Sequence, residues 1–198
     1  MTSTTVVLAR HGRTAWHQPT RYTGRSDVPL DEVGVAQAAR LAQWAAGQDF
    51  AALACSHLVR ARQTAAAVEG LTPLVDPRLR ELDFGIAEGH TLAELRATDE
   101  AMVARFEADP VAGRFPGGEP PDEAAARGLA ALTELAAAYP GQRVLAIAHS
   151  TLIRLVVCTV LGVPLPEYRR RLPALDPAAT VTLRFPGPVG LLSYNVSR

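Results

Sequence analysis

The 198-residue chain has no lysine, and all twenty of its basic residues are arginines. Twenty acidic residues balance them, so the formal net charge is zero and the sequence pI is about 7.0. A chain with no excess of either sign offers no general attraction to nucleic acid or to an anionic membrane surface, so any anion has to be met by a local cluster. Cysteine is equally scarce. Cys55 and Cys158 each sit in an apolar segment, without the spacing of a zinc site or a disulfide framework, and read as reduced core residues. Long apolar runs are missing as well. The stretch LIRLVVCTVLGVPL, residues 152–165, is broken by Arg154 and too short to span a bilayer, and the N-terminus has no basic region followed by a long apolar one. The expectation is a cytoplasmic protein with neither nucleic acid nor membrane as partner.

What the chain does have is apolar residues, at 48% of the sequence, enough for a substantial core in a single domain over residues 1–198. Strand-like runs are TVVLA (5–9), ALACS (52–56), TPLVD (72–76), RVLAIAH (143–149), TVTLRF (180–185) and GLLSYNV (190–196). Helical patterns cover 31–46, 57–69, 121–139 and 151–161, with shorter ones near 91–97 and 100–108. This alternation predicts an α/β three-layer sandwich with a mostly parallel sheet flanked by helices. The last two strand runs are joined only by PGPV, too short for a crossover, so an antiparallel hairpin makes the sheet mixed. Residues 85–121 carry no strand signal but include the turn-rich GRFPGGEPP, which predicts a small helical and loop cap over the strand ends.

Ligands of open α/β sheets bind beyond the carboxyl ends of the strands. The first strand run leads into Arg10-His11-Gly12, the second into Ser56 with Arg60 shortly after, the fourth into His149-Ser150, and Arg80-Glu81 follows the third. Guanidinium forks hold phosphoryl oxygens at any working pH, a neutral imidazole can attack phosphorus, and a carboxylic acid can protonate the departing oxygen. Such a set describes phosphoryl transfer through a phosphohistidine. Ser56 and Ser150 are expected to cap the helices that follow them, and Gly12 to let the backbone approach the phosphate.

These segments, LARHGRTAW, RYTGRSDVPLDEVGVAQA, SHLVRARQTA, LRELDFGIAEG, FPGGE and VLAIAHS, resemble in order and separation the histidine phosphatase superfamily, in the branch of cofactor-dependent phosphoglycerate mutases and their phosphatase relatives. The resemblance implies that His11 is the nucleophile, that Arg10, Arg60 and His149 surround the transferred group, with His149 also counted as catalytic, and that Glu81 is the proton donor. It implies substrate contacts at His17, Arg21, Thr23 and Gly24, and no metal or diffusible cofactor. The chain departs from the usual pattern at Arg13, where a glutamate is common, at His17, where asparagine is common, and at Ser150, where glycine is common. The implied partner is a small-molecule phosphomonoester; the sequence is silent on oligomeric state and leaves a homodimer open. The reading is a metal-independent phosphomonoesterase. Its alternatives are mutase-type phosphoryl transfer and a catalytically weak phosphoester-binding regulatory module. With no lysine present, arginines must read any second anionic group, and Arg13, Arg21 and Arg25 are nearest in sequence to the RHG segment.

Overall fold

The computed structural model describes residues 2–198. In chain order the elements are β1 (Thr4–Arg10), α1 (Glu32–Ala45), β2 (Phe50–Cys55), α2 (Val59–Ala66), β3 (Leu74–Val75), α3 (Leu92–Thr98), α4 (Glu100–Ala108), α5 (Pro121–Ala138), β4 (Arg143–Ala148), α6 (Ser150–Leu161), α7 (Tyr168–Arg171), β5 (Thr180–Phe185) and β6 (Gly190–Val196). The six strands form one sheet in the order β3-β2-β4-β1-β5-β6. The first four run parallel, and β5 and β6 are antiparallel to their neighbours. The expected α/β sandwich and its closing hairpin are both present.

Two-residue periodicity divides the core. Val6 and Leu8 of β1 pack on one face with Leu132 of α5 and Leu152, Ile153 and Val156 of α6. Val7 and Ala9 pack on the other with Leu41 and Ala45 of α1 and Ala61 and Ala65 of α2. β1 and β4 are parallel neighbours, yet the helix after β1 covers one face and the helix after β4 the other. A sheet opens a crevice where adjacent strands send their helices to opposite sides. His11 and His149 stand at that opening, with the His11 N–H donating to the Ala148 carbonyl at 3.0 Å.

Residues 85–121 contain α3 and α4, each started by a side-chain cap, Thr91 on Glu94 N and Asp99 on Met102 N. Their Leu95, Met102, Val103 and Phe106 are buried with Phe115 against Leu155 and Cys158 of α6. Isolated bridges tie Arg21 to Thr91 and Tyr22 to Glu88, so the segment after the RHG run is stitched to this layer.

Three local expectations are corrected. β3 spans two exposed residues rather than 72–76, because Pro73 has no N–H to give a ladder. The helix expected from residue 57 starts at Val59 with Leu58 in the cap position; Ser56 Oγ only accepts the Leu58 N–H, at 3.3 Å. Ser150 is not a cap either. It is the first residue of α6, and His149 precedes it with no side-chain capping bond.

Candidate active site

The site gathers buried polar side chains that have few reasons to be buried unless they bind something. His11 is 5% exposed, Glu81 5%, and Arg60 and His149 are fully buried. His11 Nδ1 lies 2.6 Å from the Gly12 carbonyl oxygen. A carbonyl can only accept, so Nδ1 carries the proton and Nε2 holds the lone pair. Burial, then the positive charges of Arg60 and Arg10, hold the His11 pKa well below the usual histidine range. The ring is neutral at pH 7.

Arg60 comes from the first turn of α2. Its Nε–H donates to His11 Nε2 at 3.3 Å, while its terminal nitrogens donate to the carbonyls of Ser26 and Gly24 at 2.8 Å and of Thr23 at 3.3 Å. Gly24 therefore sits behind Arg60, and a Cβ on it would lie 2.1 Å from Glu88 Oε1 and 2.3 Å from the Leu82 carbonyl. Gly12 likewise owes its identity to packing. A Cβ there would come within 2.5 Å of the Gly34 carbonyl at the start of α1, so the glycine admits a helix rather than a phosphate.

Arg10 donates to the Leu175 carbonyl and to His17 Nε2, both at 2.6 Å. Burial lowers its pKa to about 10, with Glu81 and Asp176 opposing that shift, so it stays charged at neutral pH. His17 Nδ1 lies 3.0 Å from the Thr14 hydroxyl. Burial and Arg10 bring the His17 pKa down to about 4, so the neutral ring accepts from Arg10 and holds it. His149 lies with its ring centroid 5.0 Å from that of His11. Its pKa is also held well below the usual range, by burial and then Arg60. Both His149 nitrogens and Arg10 Nε are buried without a hydrogen-bond partner, each at a cost of about 1–3 kcal/mol; an arriving anion would accept from Arg10 Nε–H and from the one N–H of the neutral His149 ring.

Glu81 replaces the missing cap of α6. Its Oε2 accepts the Thr151 N–H at 3.0 Å, and its Oε1 accepts those of Leu152 and Leu82 at 2.9 Å. A carboxylate at a helix start completes orphan donors and meets the positive end of the helix dipole. Its backbone is held by Arg127, which donates to the carbonyls of Arg78, Arg80 and Glu81 and is clamped by Glu119.

Arg10, His11, His17, Arg21, Thr23 and Glu81 all line one cavity of about 340 Å³, the size of a small-ligand pocket. Gly24 is not on its wall, and Arg60 reaches it from beneath through His11. Two other arginines expected near a second anion lie elsewhere: Arg13 pairs with Asp31 and the largely exposed Arg25 with Asp83. In their place the wall carries Arg154 and Arg169, with Trp16, Tyr22, Phe84 and Leu92, none of them among the candidate site residues of the sequence. Arg154 could have been found, since it stands one helical turn after Ser150 and shares its face. Arg169 could not, because four residues of α7 give no periodicity.

The family model for the histidine phosphatase superfamily, branch 1, matches residues 6–193. The chain belongs to that superfamily. As a member of it, the chain is 36% identical over 168 residues to a probable phosphoglycerate mutase GpmB of Cronobacter sakazakii, a match covering 83% of this chain and 78% of the relative. The Yersinia pestis protein of the same name is 34% identical over the same coverage. Among solved structures, Bacillus stearothermophilus YhfR superposes with a TM-score of 0.90 at 28% identity, covering 98% of both chains. A mycobacterial glucosyl-3-phosphoglycerate phosphatase gives 0.88 at 27% identity, covering 98% of this chain and 100% of the other. The superfamily and the fold expected from the RHG segment and its companions are borne out. Among the described residues no group of three or more His, Cys, Asp or Glu is placed to hold a metal ion, and no helix is long and apolar enough to cross a membrane.

Proposed function

We propose that the protein is a phosphomonoesterase that hydrolyses a small phosphorylated metabolite through a phosphohistidine on His11. The observation that carries this is the state of His11: neutral, its Nδ1–H committed to Gly12 O at 2.6 Å, and its Nε2 lone pair at the cavity, held by the long 3.3 Å contact from Arg60 Nε–H that a phosphoryl oxygen would take over as Nε2 attacks. In this reading Arg10, Arg60 and His149 hold the phosphoryl oxygens. Nε2 attacks phosphorus, the bond from phosphorus to the ester oxygen breaks, and protonated Glu81 gives its proton to that oxygen. Ionised Glu81 then takes a proton from the water that attacks the phosphohistidine, which returns His11 and releases phosphate. Glu81 Oε1 accepts two N–H groups and Oε2 one, so Oε2 retains the lone pair that the travelling proton uses.

The names of the Cronobacter and Yersinia relatives favour a second reading, in which the phosphoryl group returns to an organic acceptor rather than to water. The phosphatase named among the structural neighbours matches nearly the full length of the chain and favours the first. Two buried, unpaired cysteines suit a cytoplasmic setting, and the uncovered edge strand β6, with Leu192 exposed, suits a homodimer. Phosphate release from a panel of phosphomonoesters, with chelator present and with a parallel mutase assay, tests the proposal. Release without added metal supports it, and exclusive transfer between organic acceptors replaces it with the second reading.

A further inference from the structure

The two ring nitrogens of His17 face incompatible demands. Arg10 Nη2 donates to Nε2 at 2.6 Å, and the Thr14 backbone N–H points at Nδ1 across 3.1 Å. A neutral imidazole has one N–H and one lone pair, so it can accept from only one of them. Arg10 is the stronger donor, a charged guanidinium at the shorter distance. Nε2 therefore accepts, Nδ1 carries the proton, and that proton goes to the Thr14 hydroxyl at 3.0 Å. The Thr14 N–H is left facing another N–H. Thr14 is buried, and its N–H meets no other acceptor among the described residues, an uncommon state for a buried backbone donor.

The Arg10 contact is open to exchange. Nη1 is held by the Leu175 carbonyl, but Nε is buried without a partner. Nε and Nη2 form an edge on which a guanidinium takes two phosphoryl oxygens as a fork. An anion seated there draws Nη2 from His17 and leaves the Nε2 lone pair facing oxygen lone pairs. Moving one proton removes both conflicts: the N–H bond at Nδ1 breaks, one forms at Nε2, and solvent water carries the proton between them. Nε2–H then donates to the anion, and Nδ1 accepts from the Thr14 N–H. The ring stays neutral. Arg10 at the end of β1 and Arg60 from α2 oppose an imidazolium, while Asp31 at the start of α1 favours one but is paired with Arg13. His11, the other titratable neighbour, is neutral and lies edge-on at 5.9 Å. A bound anion also favours the imidazolium, but that form sets Nδ1–H back against the Thr14 N–H.

We propose that His17 is a tautomeric switch of the anion site: it accepts from Arg10 until a tetrahedral anion takes that arginine over, then passes its ring proton from Nδ1 to Nε2 and donates to the anion. The donor is thus withheld until Arg10 is engaged, and it appears without rotation of the side chain. This inference rests on the phosphoryl site of the proposed function and adds a proton movement to it.

The test is NMR of the wild-type protein labelled with ring-15N histidine, titrated at neutral pH with inorganic sulfate, a tetrahedral dianion that does not itself titrate there. The His17 signals are assigned by their loss in His17→Asn. Nδ1 should change from protonated to unprotonated and Nε2 the reverse as sulfate binds. Thr14→Val, close in shape, removes the hydroxyl that accepts from Nδ1–H before binding and keeps the N–H that donates to Nδ1 afterwards. It should therefore tighten sulfate by about 2- to 10-fold, the worth of one hydrogen bond, whereas loss of a merely structural hydroxyl would not. A His17 that keeps its proton on Nδ1 while His11 or His149 responds to sulfate, or one protonated at both nitrogens, overturns the proposal. So does unchanged or weaker sulfate binding by Thr14→Val. No response of any histidine to sulfate overturns the switch and the anion site together. Exchange at His17 with no phosphate release by the wild type from any phosphomonoester leaves the inference standing and defeats the phosphatase reading. Phosphate release with the His17 proton fixed on Nδ1 does the reverse.

Discussion

Arg60 donates its Nε–H to the Nε2 of His11 across 3.3 Å, while three backbone carbonyls fix the other end of the same guanidinium. The contact does two things at once. It favours neutral His11, after burial, by placing a permanent charge beside it, and in the proposed mechanism it keeps one N–H, that of Nε, at hand for an oxygen of the phosphoryl group on Nε2.

Replacing Arg60 by Met should therefore act twice. Loss of the charge-assisted contact should raise the barrier by about 2 to 4 kcal/mol, as for removal of an oxyanion donor. Because Arg60 follows burial as the main cause of the low His11 pKa, the acid limb of the pH profile of kcat/KM should also move to higher pH. Arg62, exposed and about 200° around the same helix, should give neither effect on change to Ala. Equal losses in the two variants would show that α2 presents a different face to the site.

Glu81→Gln should discriminate between leaving groups. An alkoxide needs a proton to depart and a nitrophenolate hardly does, so single-turnover phosphorylation should slow roughly 100- to 10,000-fold with alkyl phosphates and only mildly with the aryl ester. Steady-state rates do not serve, since dephosphorylation can limit them. Equal slowing of both classes would assign the proton to another group, with Asp83 and Glu88 next to be tested.

Stability should fall as pH falls below about 6.5, the ordinary histidine value. His11, His17 and His149 all have lowered pKa values in the fold, through burial first and neighbouring arginines second. The unfolded chain thus takes up their protons while the native state refuses them, and each costs about 1.4 kcal/mol per pH unit. The share of His17 is spent near pH 4, where its folded form titrates. Urea unfolding at pH 7.5 and 5.5 should show the loss, and His17→Asn should reduce it by one histidine's share. A pH dependence unaltered in His17→Asn would contradict the assigned neutral state.

The strand runs, most helix bounds and the residues at the crevice were legible because each depends on local pattern: β-branched runs, amphipathic period, and polar residues at strand ends. Arg10, His11, Arg60 and His149 lie on or just after such elements. Less legible was how the groups are supported. Glu81 as the cap of α6 and Arg127 as the anchor of its segment are contacts between residues 46 to 71 positions apart, which no local pattern encodes. The motif suggests that Gly12 makes room for ligand, whereas the close approach belongs to Gly34, a partner fixed only by the docking of α1. His17 was read as a substrate contact; it accepts from Arg10, and its place on the cavity wall leaves it a second role once substrate arrives.

The most direct test of the account is a rapid quench of the wild-type enzyme during turnover of a phosphate-labelled substrate, followed by mapping of the label. The account predicts a phosphate on His11 that is labile in acid and stable in base, formed and lost at rates compatible with turnover, and missing in His11→Ala together with activity. Turnover with no adduct at any quench time, or near-normal activity in His11→Ala, would show that water attacks the ester directly and that His11 is not the nucleophile.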